Sequence, residues 1–318
     1  MAVKTKEVAD ATQADREKRL VAASSVAAAV LLTGMKVTVG LSTGSIGILS
    51  EAAHSGLDLV AAAVTLWAVR ASARPADHDH PYGHGKIENF SALFETGLLL
   101  ATCVWIAYEA VKRLLLENVH VEATWWSFAI MFISIAVDIS RSRALARAAK
   151  KHRSQALEAD ALHFSTDVWS SSVVIVGLVA VRASSAFGVP WLARADAVAA
   201  LGVAAIAVII SLRLGKKSVD DLLDAAPPDL LTQVAAAAHV DGVLEVSQVR
   251  VRRSGPDVFA DVTLDVDRGL SLEAAHELAD LAEQAVRAAV PGADVVVHAH
   301  PEADEASHPR REVVPDPS

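Results

Sequence analysis

Glu51-Ala-Ala-His54-Ser-Gly-Leu-Asp58 lies inside an apolar run, about Ile46 to Val69, that is long enough to cross a membrane. The pattern returns as Asp160-Ala-Leu-His163-Phe-Ser-Thr-Asp167 inside a second apolar run, about Leu157 to Val181. Each copy reads acid, two residues, His, three residues, Asp. On a helix, residues four apart differ by about 40° in azimuth and residues seven apart by about 20°. Glu51, His54 and Asp58 therefore share one face, and so do Asp160, His163 and Asp167. A central Asp costs roughly 2.5–3.5 kcal/mol on insertion, so such acids are as a rule paired and functional. Two His and two Asp from two helices make a four-coordinate N2O2 set, which suits zinc and neighbouring divalent metals. The blander reading, two structural His–Asp couples, explains one copy more readily than two matching ones.

Working outward, the chain of 318 residues is 53% hydrophobic with a mean hydropathy of +0.35. That is too apolar for an ordinary soluble protein and points to several membrane spans. Six apolar runs are expected to span: about Leu20–Leu41, Ile46–Val69, Asn89–Tyr108, Trp125–Ile139, Leu157–Val181 and Trp191–Leu214. Lys and Arg crowd into the N-terminal arm, the second loop and the basic fourth loop, Arg141 to Arg153, and they follow the last span. By the positive-inside rule both termini are cytoplasmic, in a cell (inner or plasma) membrane. Trp125, Trp126 and Trp191 then fall at outer span ends as interfacial anchors. The second and fifth helices run antiparallel, so His54 meets the level of Asp167, and Asp58 that of His163. Glu51 lies one turn to the outer side and Asp160 one turn to the inner side. There they would line vestibules that attract cations, unless they are interfacial carboxylates without a role.

After Lys217 the character changes. The order α-β-β-α-β makes a small α+β domain, with Ser271 capping its long helix and Pro291-Gly292 ending it. The expected layout is a flexible arm over 1–19, a six-helix transmembrane domain over 20–215, the α+β domain over 216–302 and a disordered tail over 303–318. The net charge of −9 gives no reason to expect nucleic acid. One cysteine, Cys103, excludes an internal disulfide and a thiolate cluster. No HExxH, GxxxxGK[ST] or GxSxG occurs, so neither an enzyme nor an ATP-driven pump is indicated.

Two further constellations offer metal ligands. The loop Asp77-His78-Asp79-His80-Pro81-Tyr82-Gly83-His84 is dense in N and O donors, although a polar surface loop reads similarly. In the α+β domain, His298 and His300 sit at i and i+2 of the last strand and point to one side. His276 on the long helix joins them if that helix packs over that side. His239 and His308 read as isolated surface residues.

These motifs together resemble the cation diffusion facilitator family of divalent-metal/proton antiporters. The resemblance runs from about Leu20 to Pro301. It rests on His54-x3-Asp58, Pro75-Ala76-Asp77-x2-His80-Pro81-Tyr82-Gly83-His84-Gly85-Lys86-x-Glu88 and His163-x3-Asp167. Arg250-x-Arg252-x-Ser254-Gly255-Pro256, Ala275-His276 and Val297-His298 complete it. It implies a homodimer with a cytoplasmic metallochaperone-like domain and a transport site of His54, Asp58, His163 and Asp167. The loop site maps onto Asp77, His80 and His84. The cytoplasmic two-metal site maps onto Ser247, Thr263, His276, His298 and His300. Ser247 and Thr263 stand where related bacterial exporters have His, and His300 where they have Asp, which leaves only the His276, His298, His300 half. A dimer ion pair maps onto Lys86 and Asp224. The implied function is proton-coupled export of divalent transition metals by alternating access. Zinc is favoured by the donor set, and iron(II), cobalt, nickel, cadmium and manganese are left open. The competing expectation is a membrane-embedded metal sensor that uses the cytoplasmic His cluster and moves no ion.

Overall fold

A computed structural model describes residues 2–115, 125–187 and 192–302. Trp191, His308 and the tail over 303–318 lie outside the described residues, as do the side chains of Trp125 and Trp126. The chain divides into two compact units after Val219.

The N-terminal unit is made of long helices: α1 (Ala2–Thr43), α2 (Ile46–Ser72), α3 (Lys86–Leu115), α4 (Trp125–His152), α5 (Gln155–Phe187) and α6 (Leu192–Leu222). Among the described residues, Thr12–Thr43, Glu51–Ser72 and Lys86–Tyr108 are long and apolar enough to cross a membrane. Small residues let the helices approach closely. Ala22, Ala62, Ala68, Ala148, Ala149, Ala156 and Ala161 are all buried in one cluster with Val69, Leu145 and Phe164. Large apolar side chains such as Leu31, Trp105 and Trp169 face outward, as a lipid-facing surface requires. Gly44, at φ 67°, makes the turn out of α1, and the Ser45 hydroxyl caps α2 by accepting the Ile48 N–H.

Two expectations are corrected here. Residues 2–19 are not a flexible arm but the first turns of α1. The stretch is rich in Ala, Glu, Lys, Gln and Arg, all good helix formers, and its polarity hid that. It is also tied down: Glu17 pairs with Lys151 Nζ at 2.5 Å and His152 Nε2 at 2.9 Å. The basic segment after the fourth apolar run is likewise helical as far as His152, with Arg153 (φ 52°) and Ser154 alone linking α4 to α5. The positive ends of Lys150, Lys151 and His152 fall in the last turn, where they complement the helix dipole.

The C-terminal unit has the expected order: α7 (Pro228–Ala238), β1 (Val243–Ser254), β2 (Asp257–Val266), α8 (Leu272–Ala289) and β3 (Ala293–Pro301). β2 is central, antiparallel to β1 and parallel to β3. Ser271 caps α8 by accepting the Ala274 N–H at 3.2 Å. Alternate residues of the strands, Val249, Val251, Val258, Val262, Leu264 and Val295, face Leu230 and Val234 of α7 and Ala282 and Val286 of α8. Both helices thus cover one face of the sheet. Leu264 is fully buried at the centre, so Leu264→Ala is expected to cost about 2–5 kcal/mol. Hydrogen exchange of the β2 amides in the full-length protein measures this directly. An unchanged rate would mean that the core is not organised around β2.

Candidate metal centre

The four residues of the repeated motif come together between α2 and α5. His163 Nε2 lies 3.2 Å from Asp58 Oδ1 and 3.6 Å from Asp167 Oδ2. His54 Nε2 lies 3.9 Å from Asp167 Oδ1 and 3.9 Å from Asp58 Oδ1. The pairing of 54 with 167 and of 58 with 163 is that of antiparallel helices. A tetrahedral ion with bonds of about 2.1 Å separates its ligands by about 3.4 Å, so the box needs only a small contraction to close on one. The ligand atoms of His54, Asp58 and Asp167 already lie within 4.8 Å of one another. The box is lopsided: the His54 side chain is 37% exposed and that of His163 only 4%. It opens at His54 and is sealed at His163.

Around it stands a shell of charge. Lys36 on α1 faces the bundle and donates to Ser55 Oγ at 2.7 Å, with Glu51 Oε2 at 3.4 Å. Glu51 itself is 60% exposed. Asp160, in contrast, has no exposure in this structure. Its Oδ2 accepts from the Ser25 hydroxyl at 3.3 Å. Ser25 in turn accepts from Arg141 Nε and Nη2 at 3.3 and 3.0 Å. Arg141 also pairs with Asp138 at 3.2 Å and lies 3.5 Å over the Phe164 ring. Toward the end of the unit, Glu88 in the first turn of α3 is fully buried and accepts from Lys18 Nζ, Ser72 Oγ and Ser154 Oγ. Asp138 and Glu95 are signalled only by being charged inside apolar helices, Arg141 by the basic run after the fourth span and Glu88 by the loop motif, none of which says whom they meet.

In the loop between α2 and α3, Asp77 Oδ1 lies 3.1 Å from His80 Nδ1, and Asp77 Oδ2 lies 3.4 Å from His84 Nε2. The two imidazoles are 4.4 Å apart. All three ligand atoms fit within 4.8 Å. The turn is closed by Gly83 at φ 78°, whose N–H donates to the His80 carbonyl. The backbone N–H of His80 donates to Asp77 and holds its carboxyl below the usual range, so it is an anion at any pH at which His binds metal. His78 and Asp79 pair with each other, exposed, outside this group.

His276 does not join His298 and His300 within one chain. α8 packs on the face carrying Val295, Val297 and Ala299, whereas His298 and His300 alternate to the open face, with rings 4.6 Å apart. His276 is 74% exposed, with Asp280 at 3.9 Å as its near neighbour. Ser247, beside a register shift in β1, donates to the Thr263 carbonyl at 3.3 Å and to Asp265 at 3.1 Å. Lys86 begins α3 and Asp224 belongs to the C-terminal unit, where it lies 3.5 Å from Arg252 Nη1.

Residues 22–223 match the model of the cation efflux transmembrane domain, and residues 227–302 that of the cation efflux protein cytoplasmic domain. The chain belongs to the cation efflux family. Among its relatives is the cation-efflux pump FieF of Pectobacterium atrosepticum, 33% identical over 286 residues, which are 89% of this chain and 92% of that protein. FieF of Klebsiella pneumoniae is 31% identical over 285 residues, 88% and 91% of the two chains. A solved nickel form of the MamM CTD is 29% identical and covers 24% of this chain and all of its own, with a TM-score of 0.24. Within the cation efflux family the assignment is to transport proteins, not to enzymes.

Proposed function

We propose that the chain exports divalent transition-metal cations, zinc foremost, from the cytoplasm in exchange for protons. The observation that carries this is the box of His54, Asp58, His163 and Asp167, with its four His–Asp separations of 3.2–3.9 Å inside apolar helices. Family membership and the relatives named as cation-efflux pumps support the direction of transport. Two imidazoles favour zinc over hard ions that prefer all-oxygen octahedra. Metal binds deprotonated ligands and so releases protons, and imidazoles, with an unperturbed pKa of about 6.5, take protons back on the acidic side. A lower outside pH therefore speeds metal release and drives export by alternating access between the two sides.

The six helices span the membrane with both termini cytoplasmic. In support, the start of α1 and the basic end of α4 meet at one end of the unit, through Glu17 with Lys151 and His152. Asp77, His80 and His84 form a peripheral metal site at that same cytoplasmic face, and Glu51 draws cations toward the outer mouth. The protein works as a homodimer, a reading supported by the match to the family's cytoplasmic domain and by the implied Lys86–Asp224 pair. Metal bound at His298 and His300 would then take its remaining ligands from a second copy. The sensor reading loses its main support, because it relied on a three-His cluster that a single chain does not assemble.

The test is zinc uptake into proteoliposomes with an acidic lumen. Uptake is expected to follow the size of the pH gradient and to collapse when a protonophore dissipates it. Zinc binding without gradient-dependent uptake would replace the exporter by the sensor.

A further inference from the structure

Three buried polar atoms beside the box have no hydrogen-bond partner among the described residues: His163 Nδ1, Glu95 Oε2 and Asp160 Oδ1. Such atoms are rare, because an unpaired buried polar group has lost its hydration and gained nothing in return. They are also neighbours. α3 and α5 are tied at their starts by Asn89 Nδ2 donating to Gln155 Oε1 at 2.8 Å, and one turn on by Ala92 packed with Ala159. One further turn along each helix brings Glu95 to the level of His163. His163 and Asp160 both lie within electrostatic reach of Glu95. The other half of each side chain is already engaged. Glu95 Oε1 accepts from the Thr65 hydroxyl of α2, Asp160 Oδ2 from Ser25, and His163 Nε2 faces Asp58.

An imidazole that gives Nε2 to a metal carries its proton on Nδ1. That N–H is almost always donated to a carboxylate, a carbonyl or water, which fixes the ring and raises its basicity. We propose that Glu95 is the positioning carboxylate of His163. Its free Oε2 accepts the His163 Nδ1–H when Nε2 holds a divalent cation, making a carboxylate–imidazole–metal triad that reaches from α3 through α5 into the box. The proposal rests on the box being the metal site. Asp160 is the poorer acceptor: it stands three residues before His163 on the same helix and is held by the Ser25–Arg141 chain. Glu95 comes from another helix on a longer stem, with Thr65 fixing the far oxygen. It stands outside the box as a partner of the imidazole and not as a ligand, its Oε1 held by the Thr65 hydroxyl.

The test uses full-length protein in detergent with cobalt(II) as the probe, whose visible bands report the ligand field. Bands lost in Asp58→Ala belong to the box. Glu95→Ala is expected to weaken cobalt binding at those bands about 10–100-fold and to shift them, because the imidazole loses its acceptor. Glu95→Gln keeps an acceptor without its charge, so its affinity should fall between the two and its bands should still move. Unchanged affinity and bands in Glu95→Ala, or in Glu95→Gln where the alanine variant does not fold, overturn the triad while leaving the box intact. If Asp58→Ala removes no bands from the wild-type spectrum, the box itself is wrong, and the triad falls with it.

Discussion

Asp58→Ala is expected to reduce gradient-driven zinc flux by about 100-fold or more. Loss of a mere outer partner of a metal ligand costs 10–100-fold in affinity, and Asp58 faces the would-be ion directly. It neighbours both imidazoles, at 3.2 Å from His163 and 3.9 Å from His54. Its removal leaves three donors, halves the negative charge of the box and deprives the nearly sealed His163 of its contact. Asp167→Ala should do comparable harm, since Asp167 stands in the mirrored position. Initial uptake rates, normalised to the amount of inserted protein, measure the effect. Flux within about threefold of wild type in both variants would move the transport path elsewhere, with the Asp77, His80 and His84 loop as the next place to look.

The second large effect is on stability. Lys18→Met is expected to cost about 3–5 kcal/mol, because it leaves the Glu88 carboxylate in the interior without its cation. Glu88 has no exposure, and Lys18 Nζ, 3.1 Å away, is itself buried. The Ser72 and Ser154 hydroxyls that also donate to Glu88 cannot neutralise it. The double change Lys18→Met with Glu88→Gln should recover most of the loss, because it removes both charges at nearly constant volume. Thermal unfolding in detergent compares the three proteins. A double variant no more stable than the single one would show that the charge of Glu88 is not what Lys18 serves.

Much of this was readable from the chain because helix and strand periods fix which residues share a face. Spacing alone put His54 beside Asp58 and His163 beside Asp167, and alternation alone put His298 and His300 on one side of a strand. What spacing does not give is which neighbour covers that face. For His276 the outcome turned on the side of the sheet taken by α8, and Val295 and Val297 drew it to the face away from His298 and His300. The same limit hid Glu88 and Glu95, whose partners lie on α1, α2 and the α4–α5 link. The N-terminal stretch failed differently. Its polar composition suggests flexibility, while its individual residues favour a helix and Glu17 anchors it.

The pairing of Lys18 with Glu88 also orders biogenesis. A ribosome delivers the first helix 70 residues before the carboxylate that neutralises it. Until α3 has arrived, the Lys18 ammonium has its same-helix partner Asp15, at 3.1 Å, but not the buried carboxylate that completes its pairing. A chain truncated ahead of Glu88 therefore leaves Lys18 with only Asp15, and the first helix completes its contacts only after the third has arrived.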